Sequence, residues 1–347
     1  MDFPEKEWYD IHASLVFCRG WSKTEPEFGR LPVHAEKLLP EKVWLMRRNS
    51  SGMYVEFRTD SSSIAVRWDL ADENFGELNF NVCAYSGIDL FCRHNGKWRF
   101  TVAASALSRK NSLEILADLA VKERCFRLYF PFRNCLEKIS VGVDPGASFE
   151  WEKPDASAQI VYYGSSIIHG SCASRAGNGI TAILGRAFDL PVVNLGFSGA
   201  ARLEPGAAEL LAEIDAAFYL VDALPNCDTL LVEERLEAFL HILCSKRRNT
   251  PVFLLTDADR RGAWMYPEKV REHRQKRTAA RRIVAQLRRK YPALQLIDMA
   301  RSMGSDAEGT VDGIHPDELG IARFSGFLIR ILRNRLQSIA ESGKQDH

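Results

Sequence analysis

The sequence has no long hydrophobic run, no excess of either charge and no recognisable metal-binding motif. Its formal net charge is +1, so no overall field favours a nucleic acid or an anionic membrane as partner. No apolar stretch reaches the roughly 20 residues of a membrane-spanning helix. CxxC pairs, zinc-type Cys/His spacings and HExxH are all missing, so no local pattern predicts a metal site. The composition is that of an ordinary globular protein.

The eight cysteines show no pairing pattern, and several lie within apolar strand patterns. This distribution is typical of buried, reduced thiols in the cytoplasm rather than of a disulfide framework. The first eight residues carry acids and lack the apolar segment of a signal peptide. We therefore expect a cytoplasmic protein with free thiols, and a secreted mature chain that has lost its leader stays open as the alternative.

A length of 347 residues is too great for one ordinary core and predicts two domains. In the first half, short apolar runs with partial alternation are separated by polar turns, of which Asn95-Gly96 is a strong hairpin signal. Many short strands without a long helical pattern predict an antiparallel β-sandwich. The strands are predicted over 43–46, 53–58, 64–69, 79–85, 88–93, 98–102, 126–130 and 139–143.

The second half alternates strands with helices and predicts a parallel sheet covered by helices on both faces. Pro, Gly and Ser at 144–148 and 153–157 break both patterns, so we expect domains over 1–150 and 156–340. Strands are predicted over 160–163, 192–195, 218–221, 252–255 and 296–297, and helices near 178–188, 205–214, 230–247, 267–290 and 316–339. In such folds the chemistry lies at the carboxyl ends of the strands.

The first of these strands runs into the tight turn Gly164-Ser165-Ser166. A serine on a strand-to-helix turn has its hydroxyl lifted clear of the sheet, where it is well placed for acyl chemistry. An apolar residue follows Ser166, which favours Ser166 as the nucleophile and Ser165 as a turn residue. A plain polar turn is the alternative.

Polar residues follow the other strands as well. His315 can take the proton of a serine hydroxyl, and Asp312, three residues earlier, can orient its imidazole. The N–H groups of Ser166 and Gly199 and the side-chain amide of Asn226 can supply an oxyanion hole. A helix cap for Asp312 and simple turn roles for Gly199 and Asn226 are the alternatives.

The segments that carry Ser166, Gly199, Asn226 and the Asp312–His315 pair resemble, in this order, the sequence blocks of the SGNH (GDSL-like) hydrolases. The first half also carries a sequence that resembles the Gly-x-Asp-Leu-Tyr signature of the β-sandwich that precedes one SGNH branch, with Phe91 in place of the tyrosine. The resemblance covers about 40–335 and rests on 164–167, 172–175, 194–199, 226, 308–313 and 315 together with 86–91. It implies a jelly-roll-like sandwich followed by a flavodoxin-like three-layer α/β/α domain.

The sequence departs from the family pattern close to the nucleophile. Ser165 stands where many members have an aspartate, which removes a helper carboxylate. His169 stands where a polar residue such as glutamine is expected, so we predict a second imidazole at the substrate pocket. Arg202 and Glu204, after the Gly199 loop, are further candidate substrate contacts, although a solvated helix start explains them equally well.

Two other segments are open to a functional interpretation. Arg261, Trp264 and Tyr266 follow the fourth strand of the second half and could shape the mouth of the pocket. The stretch 271–290 is strongly basic, and we interpret it as a solvated amphipathic helix rather than a nucleic-acid surface.

The resemblance implies a carboxylic-ester hydrolase that needs neither metal nor cofactor. We expect a serine esterase that acts on a small O-acylated substrate, with an acetylated sugar as the leading candidate. The alternatives are a lysophospholipase or thioesterase, and a carbohydrate-binding protein with a degenerate hydrolase domain. The sequence does not indicate an oligomeric state.

Overall fold

The computed structural model describes residues 4–78, 80–155 and 158–345 of the chain. Its first half contains two antiparallel sheets, with strand orders β1-β8-β3-β6 and β5-β4-β7-β2-β9. The predicted sandwich is confirmed. The strands are β1 (Glu7–Asp10), β2 (Tyr54–Thr59), β3 (Ile64–Leu70), β4 (Ile88–His94), β5 (Lys97–Ala104), β6 (Lys110–Leu116), β7 (Arg124–Tyr129), β8 (Leu136–Val143) and β9 (Phe149–Glu152).

The interior of the sandwich is filled by apolar side chains from both sheets. Val66 and Trp68 of β3 alternate with the exposed Arg67 and pack with Phe57 of β2 and Phe126 of β7. Side chains alternate across a strand, so this period of two places one face of each sheet in the core. The sandwich therefore has a hydrophobic core of its own.

Two strands predicted in the first half are wrong. Residues 43–46 fall in a helix, α1 (Glu41–Leu45), and a 3-10 turn, because a short apolar run fits either period. The stretch 79–85 contains the helix α2 (Val82–Tyr85), which the Asn81 side chain caps by accepting from Cys83 N; Asn79 itself lies outside the described residues. The sequence also failed to indicate β1 and β9, which are only four residues long, and β6, which begins with three polar residues.

The second half is a parallel five-stranded sheet in the order β11-β10-β12-β13-β14. This is the flavodoxin-like order 2-1-3-4-5, in which ligands bind where the strand order reverses. The prediction of an α/β domain is confirmed. The elements are β10 (Ile160–Gly164), α3 (Ser166–His169), α4 (Ile180–Phe188), β11 (Val192–Gly196), α5 (Pro205–Leu211), β12 (Phe218–Asp222), α6 (Thr229–Lys246), β13 (Val252–Leu255), α7 (Pro267–Arg288), β14 (Leu294–Ile297) and α8 (Glu318–Gln345).

Helices cover both faces of this sheet. One core contains residues of α5, α6 and α7, and the opposite core contains residues of α3, α4 and α8. In the basic helix α7, the apolar Ile283, Val284 and Leu287 are buried, as the amphipathic interpretation requires. Within the described part of the chain, no helix is long and apolar enough to cross a membrane.

The two halves share one of these cores. Phe91 and Phe132, from the first half, belong to the same buried cluster as Ile167 and Ile180 near the start of the α/β half. A Cβ at Gly179 would lie 2.5 Å from the Phe132 ring, so only glycine allows this contact. β9 ends at Glu152 and β10 begins at Ile160; residues 156 and 157 of the predicted boundary lie outside the described residues, and the domain limits stay a prediction.

Candidate active site

The turn after β10 presents Ser166 at the carboxyl edge of the sheet. Ser165 is buried and caps α3, its Oγ accepting from Ile167 N at 3.3 Å. A Cβ at Gly164 would lie 2.7 Å from Ile168 Cγ1 and 3.0 Å from the carbonyl oxygen of Asp222, so the close packing of this turn favours glycine. Ser166, the first residue of α3, lines an open cavity.

Ser166, His315 and Asp312 form a continuous chain of hydrogen bonds. Ser166 Oγ lies 2.8 Å from His315 Nε2, and His315 Nδ1 lies 2.7 Å from Asp312 Oδ2. The other carboxylate oxygen, Asp312 Oδ1, accepts from the backbone N–H of Ile314 and of His315. The carboxylate thus fixes both the ring and the backbone of the histidine.

The loop that carries Asp312 and His315 is closed by a backbone hydrogen bond. Val311 N donates to His315 O at 2.9 Å, and Gly313 has a φ of +84°, which favours glycine. Burial raises the pKa of Asp312, but the hydrogen bonds from the backbone and ring of His315 outweigh it and hold this pKa below its usual value. Asp312 therefore stays ionised beside the imidazole.

The cavity in front of the Ser166 hydroxyl, which we name the Ser166 cavity, has a volume of about 700 Å³. Gly199 and Asn226 line it together with Ser166 and His315. Gly199 has a φ of +61°, and Asn226 Nδ2 donates to Ala201 O at 3.0 Å in the same loop. The structure thus brings together all five residues predicted for the nucleophile, base, orienting acid and oxyanion hole.

The second imidazole of the prediction, His169, lies beneath the cavity rather than in its wall. It is fully buried, and its Nδ1 is 3.1 Å from the hydroxyl of Ser198, which lines the cavity. Arg30 and Arg133 each place a guanidinium nitrogen 3.4 Å from one of its ring nitrogens. Burial and these two cations lower the pKa of His169 well below its usual value.

Arg202 and Glu204 are not among the residues that line the Ser166 cavity, and their role as substrate contacts stays a prediction. Glu204 is buried, and it accepts from the Tyr163 hydroxyl at 2.7 Å and from Arg202 N. Tyr163 is a buried strand residue whose hydroxyl needs a partner. Glu204 therefore accepts a hydrogen bond from a buried tyrosine inside the domain, and it is not among the residues that line the Ser166 cavity.

The first half of the chain supplies one wall of the Ser166 cavity, which the sequence did not indicate. Glu77, Leu78, Phe80 and Arg133 line it from that half. Arg133 Nη2 lies 3.2 Å from Glu77, and the guanidinium stacks over the Phe80 ring at 5.1 Å. These residues lie in loops far in sequence from the motif blocks, so no local pattern could have identified them. Ser171, Ser198, Pro225, Arg260 and Ile314 complete the lining.

The segment 86–91, which resembles the Gly-x-Asp-Leu-Tyr signature, has a structural role near the Ser166 turn. Asp89 is fully buried, and its Oδ2 accepts from Arg175 Nη1 at 2.7 Å and from Gly177 N at 2.8 Å. A Cβ at Gly177 would lie 2.4 Å from the Phe91 ring. The aspartate of the signature therefore ties the sandwich to the segment that follows the Ser166 turn.

All eight cysteines are free thiols in the structure. Cys172, near Ser166, is half-buried, and burial followed by the charges of Asp312 and Asp317 raises its pKa to about 11. Such a thiol is a poor nucleophile at neutral pH. Among the described residues, no cluster of three or more His, Cys, Asp or Glu side chains could hold a metal ion.

Comparisons with known proteins agree with this architecture. Residues 157–333 match the GDSL-like Lipase/Acylhydrolase family, and residues 6–149 match the N-terminus of SGNH-hydrolase-type esterases. No curated protein sequence matches the chain.

Solved structures extend the likeness over nearly the whole chain. A GDSL-like lipase from Bacteroides ovatus is 27% identical, with a TM-score of 0.88 over 96% of this chain and 98% of its own. Salicylyl-acyltransferase SsfX3, from a tetracycline biosynthetic pathway, is 18% identical (TM-score 0.76, 95% and 97% covered). The acetyl xylan esterase Est2A from Butyrivibrio proteoclasticus is 14% identical (TM-score 0.58, 96% and 99% covered). With its family match over more than half its length, the chain belongs to the GDSL-like lipase/acylhydrolase family and is an ester hydrolase.

Proposed function

We propose that the protein is a serine esterase that removes a small acyl group from a carbohydrate through a covalent acyl-enzyme. The observation that carries this proposal is the hydrogen-bond chain from Ser166 Oγ through the His315 ring to the carboxylate of Asp312. A serine hydroxyl is a poor nucleophile until a base takes its proton, and this chain provides the base and orients it.

In the first half-reaction, Ser166 Oγ attacks the carbonyl carbon of the ester while His315 Nε2 takes the hydroxyl proton. Asp312 stabilises the imidazolium that forms. The oxyanion accepts hydrogen bonds from the N–H groups of Ser166 and Gly199 and from the Asn226 amide, whose orientation the Ala201 carbonyl fixes. The intermediate collapses, the bond from the carbonyl carbon to the alcohol oxygen breaks, and His315 returns the proton to the departing alcohol.

In the second half-reaction, a water molecule occupies the place of the alcohol. His315 takes one of its protons as the oxygen attacks the acyl carbon, and the same donors bind the second oxyanion. The bond from the acyl carbon to Ser166 Oγ then breaks and the serine regains its proton. The products are the carboxylic acid and the free enzyme.

The lining of the Ser166 cavity supports a carbohydrate as the alcohol. Glu77 and Arg133 offer charged hydrogen-bonding groups, Ser171 and Ser198 offer hydroxyls, and Phe80 offers a flat apolar face. Sugars combine hydroxyl groups with an apolar ring face, and a volume of about 700 Å³ lies within the range of small-molecule sites. The acetyl xylan esterase with the same fold supports this substrate class.

An acyl-chain series on p-nitrophenyl esters, followed by acetate release from acetylated sugars, tests the proposal. We expect kcat/KM to be highest for the acetyl or butyryl ester and to fall for longer chains. A maximum at octanoyl or longer chains would favour the lysophospholipase or thioesterase alternative. Absence of turnover on every ester would favour the carbohydrate-binding alternative.

A further inference from the structure

A second cavity, of about 460 Å³, adjoins the Ser166 cavity and has a strongly cationic lining. Six arginines line it, and Asp259 is the one carboxylate among the described lining residues. We name it the arginine cavity. Its arginines are Arg260, Arg261, Arg274, Arg277, Arg281 and Arg301.

Carboxylates neutralise two of these six arginines. Arg277 pairs with Asp257 and Asp259, and Arg281 pairs with Asp298. Within the described ranges, the other four form no ion pair: Arg260, Arg261, Arg274 and Arg301. Like charges held around one small cavity repel each other, and a bound anion would relieve this repulsion.

The arginine cavity is connected to the candidate active site in two ways. Arg260 lines both cavities, so this residue lies at their junction. Arg261 N donates at 3.0 Å to the carbonyl oxygen of Gly313, in the loop between Asp312 and His315. The Arg261 Nε is buried without a hydrogen-bond partner among the described residues. A ligand in the arginine cavity would therefore lie next to the catalytic loop.

We infer that the arginine cavity binds the phosphate group of the substrate, which is an acylated sugar phosphate with its ester at Ser166. This inference rests on the proposed esterase chemistry of Ser166 and names its substrate class. Guanidinium groups bind phosphate oxygens through paired, charge-assisted hydrogen bonds, and four arginines without a carboxylate partner match a group of two or more negative charges. Trp264, whose side chain is 72% exposed at the same cavity, adds a flat face for a ring.

The shape of the site favours a small anion over a nucleic acid. The six arginines line a concave space of about 460 Å³, whereas nucleic-acid surfaces are extended and follow a backbone. The net charge of +1 gives the whole protein no field that would attract a polyanion. Binding should therefore be strongest for a compact phosphate group.

Calorimetric titration with pyrophosphate tests the site directly. The wild type should bind one pyrophosphate, and Arg274→Ala combined with Arg301→Ala should weaken binding about a hundredfold, about tenfold for each lost charge-assisted contact. Arg271→Ala is the matched control, because Arg271 is exposed on α7, the helix that carries Arg274, and lines neither cavity. Equal binding by the double variant and the control, or no binding by the wild type, would overturn the inference. So would tighter binding of a single-stranded oligonucleotide than of pyrophosphate.

Kinetics on two matched esters tests the link to catalysis. The wild type should hydrolyse the phosphate of an O-acetylated glucose with a kcat/KM at least about tenfold above that of the uncharged O-acetylated glucose, mainly through KM. The double variant should lose this preference. Equal kcat/KM for the two esters in the wild type contradicts the assignment of the substrate class.

The two proposals fail in different ways. Pyrophosphate binding needs no ester chemistry, so Ser166→Ala should retain it. If neither ester is hydrolysed but pyrophosphate binds, the proposed function is wrong and the anion site stands. If both esters are hydrolysed equally and pyrophosphate does not bind, the esterase stands and the phosphate site is wrong.

Discussion

Two histidines lie close to Ser166 in surroundings of opposite charge. His315 is on the loop between β14 and α8, with a carboxylate 2.7 Å from one ring nitrogen and the Ser166 hydroxyl 2.8 Å from the other. His169 ends α3, is fully buried, and faces a guanidinium at each ring nitrogen. The same side chain is thus paired with an anion in one place and with two cations in the other.

This difference favours His315 over His169 as the proposed base. A carboxylate stabilises the imidazolium that forms when His315 takes a proton, whereas Arg30 and Arg133 oppose a charge on His169. His169 is better suited to hold the Ser198 loop, through a neutral ring that contacts the Ser198 hydroxyl. Its position in the sequence, three residues after the nucleophile, makes His169 the obvious competitor, and its neighbours oppose a charge on its ring.

The largest effect is expected at Ser166, whose hydroxyl contacts the His315 ring. Ser166→Ala should lower kcat for p-nitrophenyl acetate at least about ten-thousandfold while leaving the fold intact, because the hydroxyl supplies the nucleophile and little packing. Ser165→Ala is the control: it removes a helix cap worth about 1 kcal/mol and should retain most of the activity. If the two variants exchange these results, the nucleophile is Ser165.

A smaller loss is expected when the anion beside His315 is neutralised. Asp312→Asn should lower kcat about a hundredfold, because the amide keeps the backbone contacts but cannot stabilise the imidazolium. Combined with His315→Ala it should add almost nothing further, since the two residues act as a unit. Additive losses in steady-state kinetics would show that Asp312 serves another purpose.

Removal of Arg133, one of the two cations beside His169, should change KM. Arg133→Ala should raise KM for an acetylated sugar about three- to tenfold with a small change in kcat, because Arg133 lines the cavity and does not touch the reacting atoms. Arg109→Ala, at an exposed position on the sandwich, is the matched control. A loss confined to kcat would place Arg133 in the chemistry instead.

The smallest effect concerns the pH dependence of stability. Because the native pKa of His169 is well below the ordinary 6.5, below that pH the unfolded chain binds a proton that the native protein does not. The free energy of unfolding should therefore fall as pH drops below about 6.5, by up to about 1.4 kcal/mol per pH unit from this residue. His169→Gln should lack this contribution in urea unfolding curves at about pH 7.5 and about pH 5.5. Parallel pH dependences in the two proteins would contradict the buried neutral ring.

The sequence was sufficient to predict the residues at the strand ends. Ser166, Gly199, Asn226 and the Asp312–His315 pair each follow a strand or precede the last helix, and a parallel sheet gathers such positions at one edge. What the sequence could not show were contacts between distant loops. The wall formed by Phe80 and Arg133 depends on how the sandwich packs on the α/β half.

The failed strand predictions and the unforeseen burial of Glu204 have local physical causes. The run 43–46 is too short for its hydrophobic period to distinguish a helix from a strand, and in the structure most of it lies in α1. Glu204 was indistinguishable from a surface acid, because its partner Tyr163 lies on a strand 41 residues away. Burial of a charged residue depends on such a partner, and the partner is visible only in the fold.

The measurement that tests the central claim most directly is kcat/KM for p-nitrophenyl acetate in His315→Ala and His169→Ala, each checked for folding by circular dichroism. His315→Ala should lose about a thousandfold or more, because no base remains for Ser166. His169→Ala should lose less than about tenfold, because the ring only supports the Ser198 loop. If His169→Ala abolishes turnover while His315→Ala retains it, the assignment of His315 as the base is wrong.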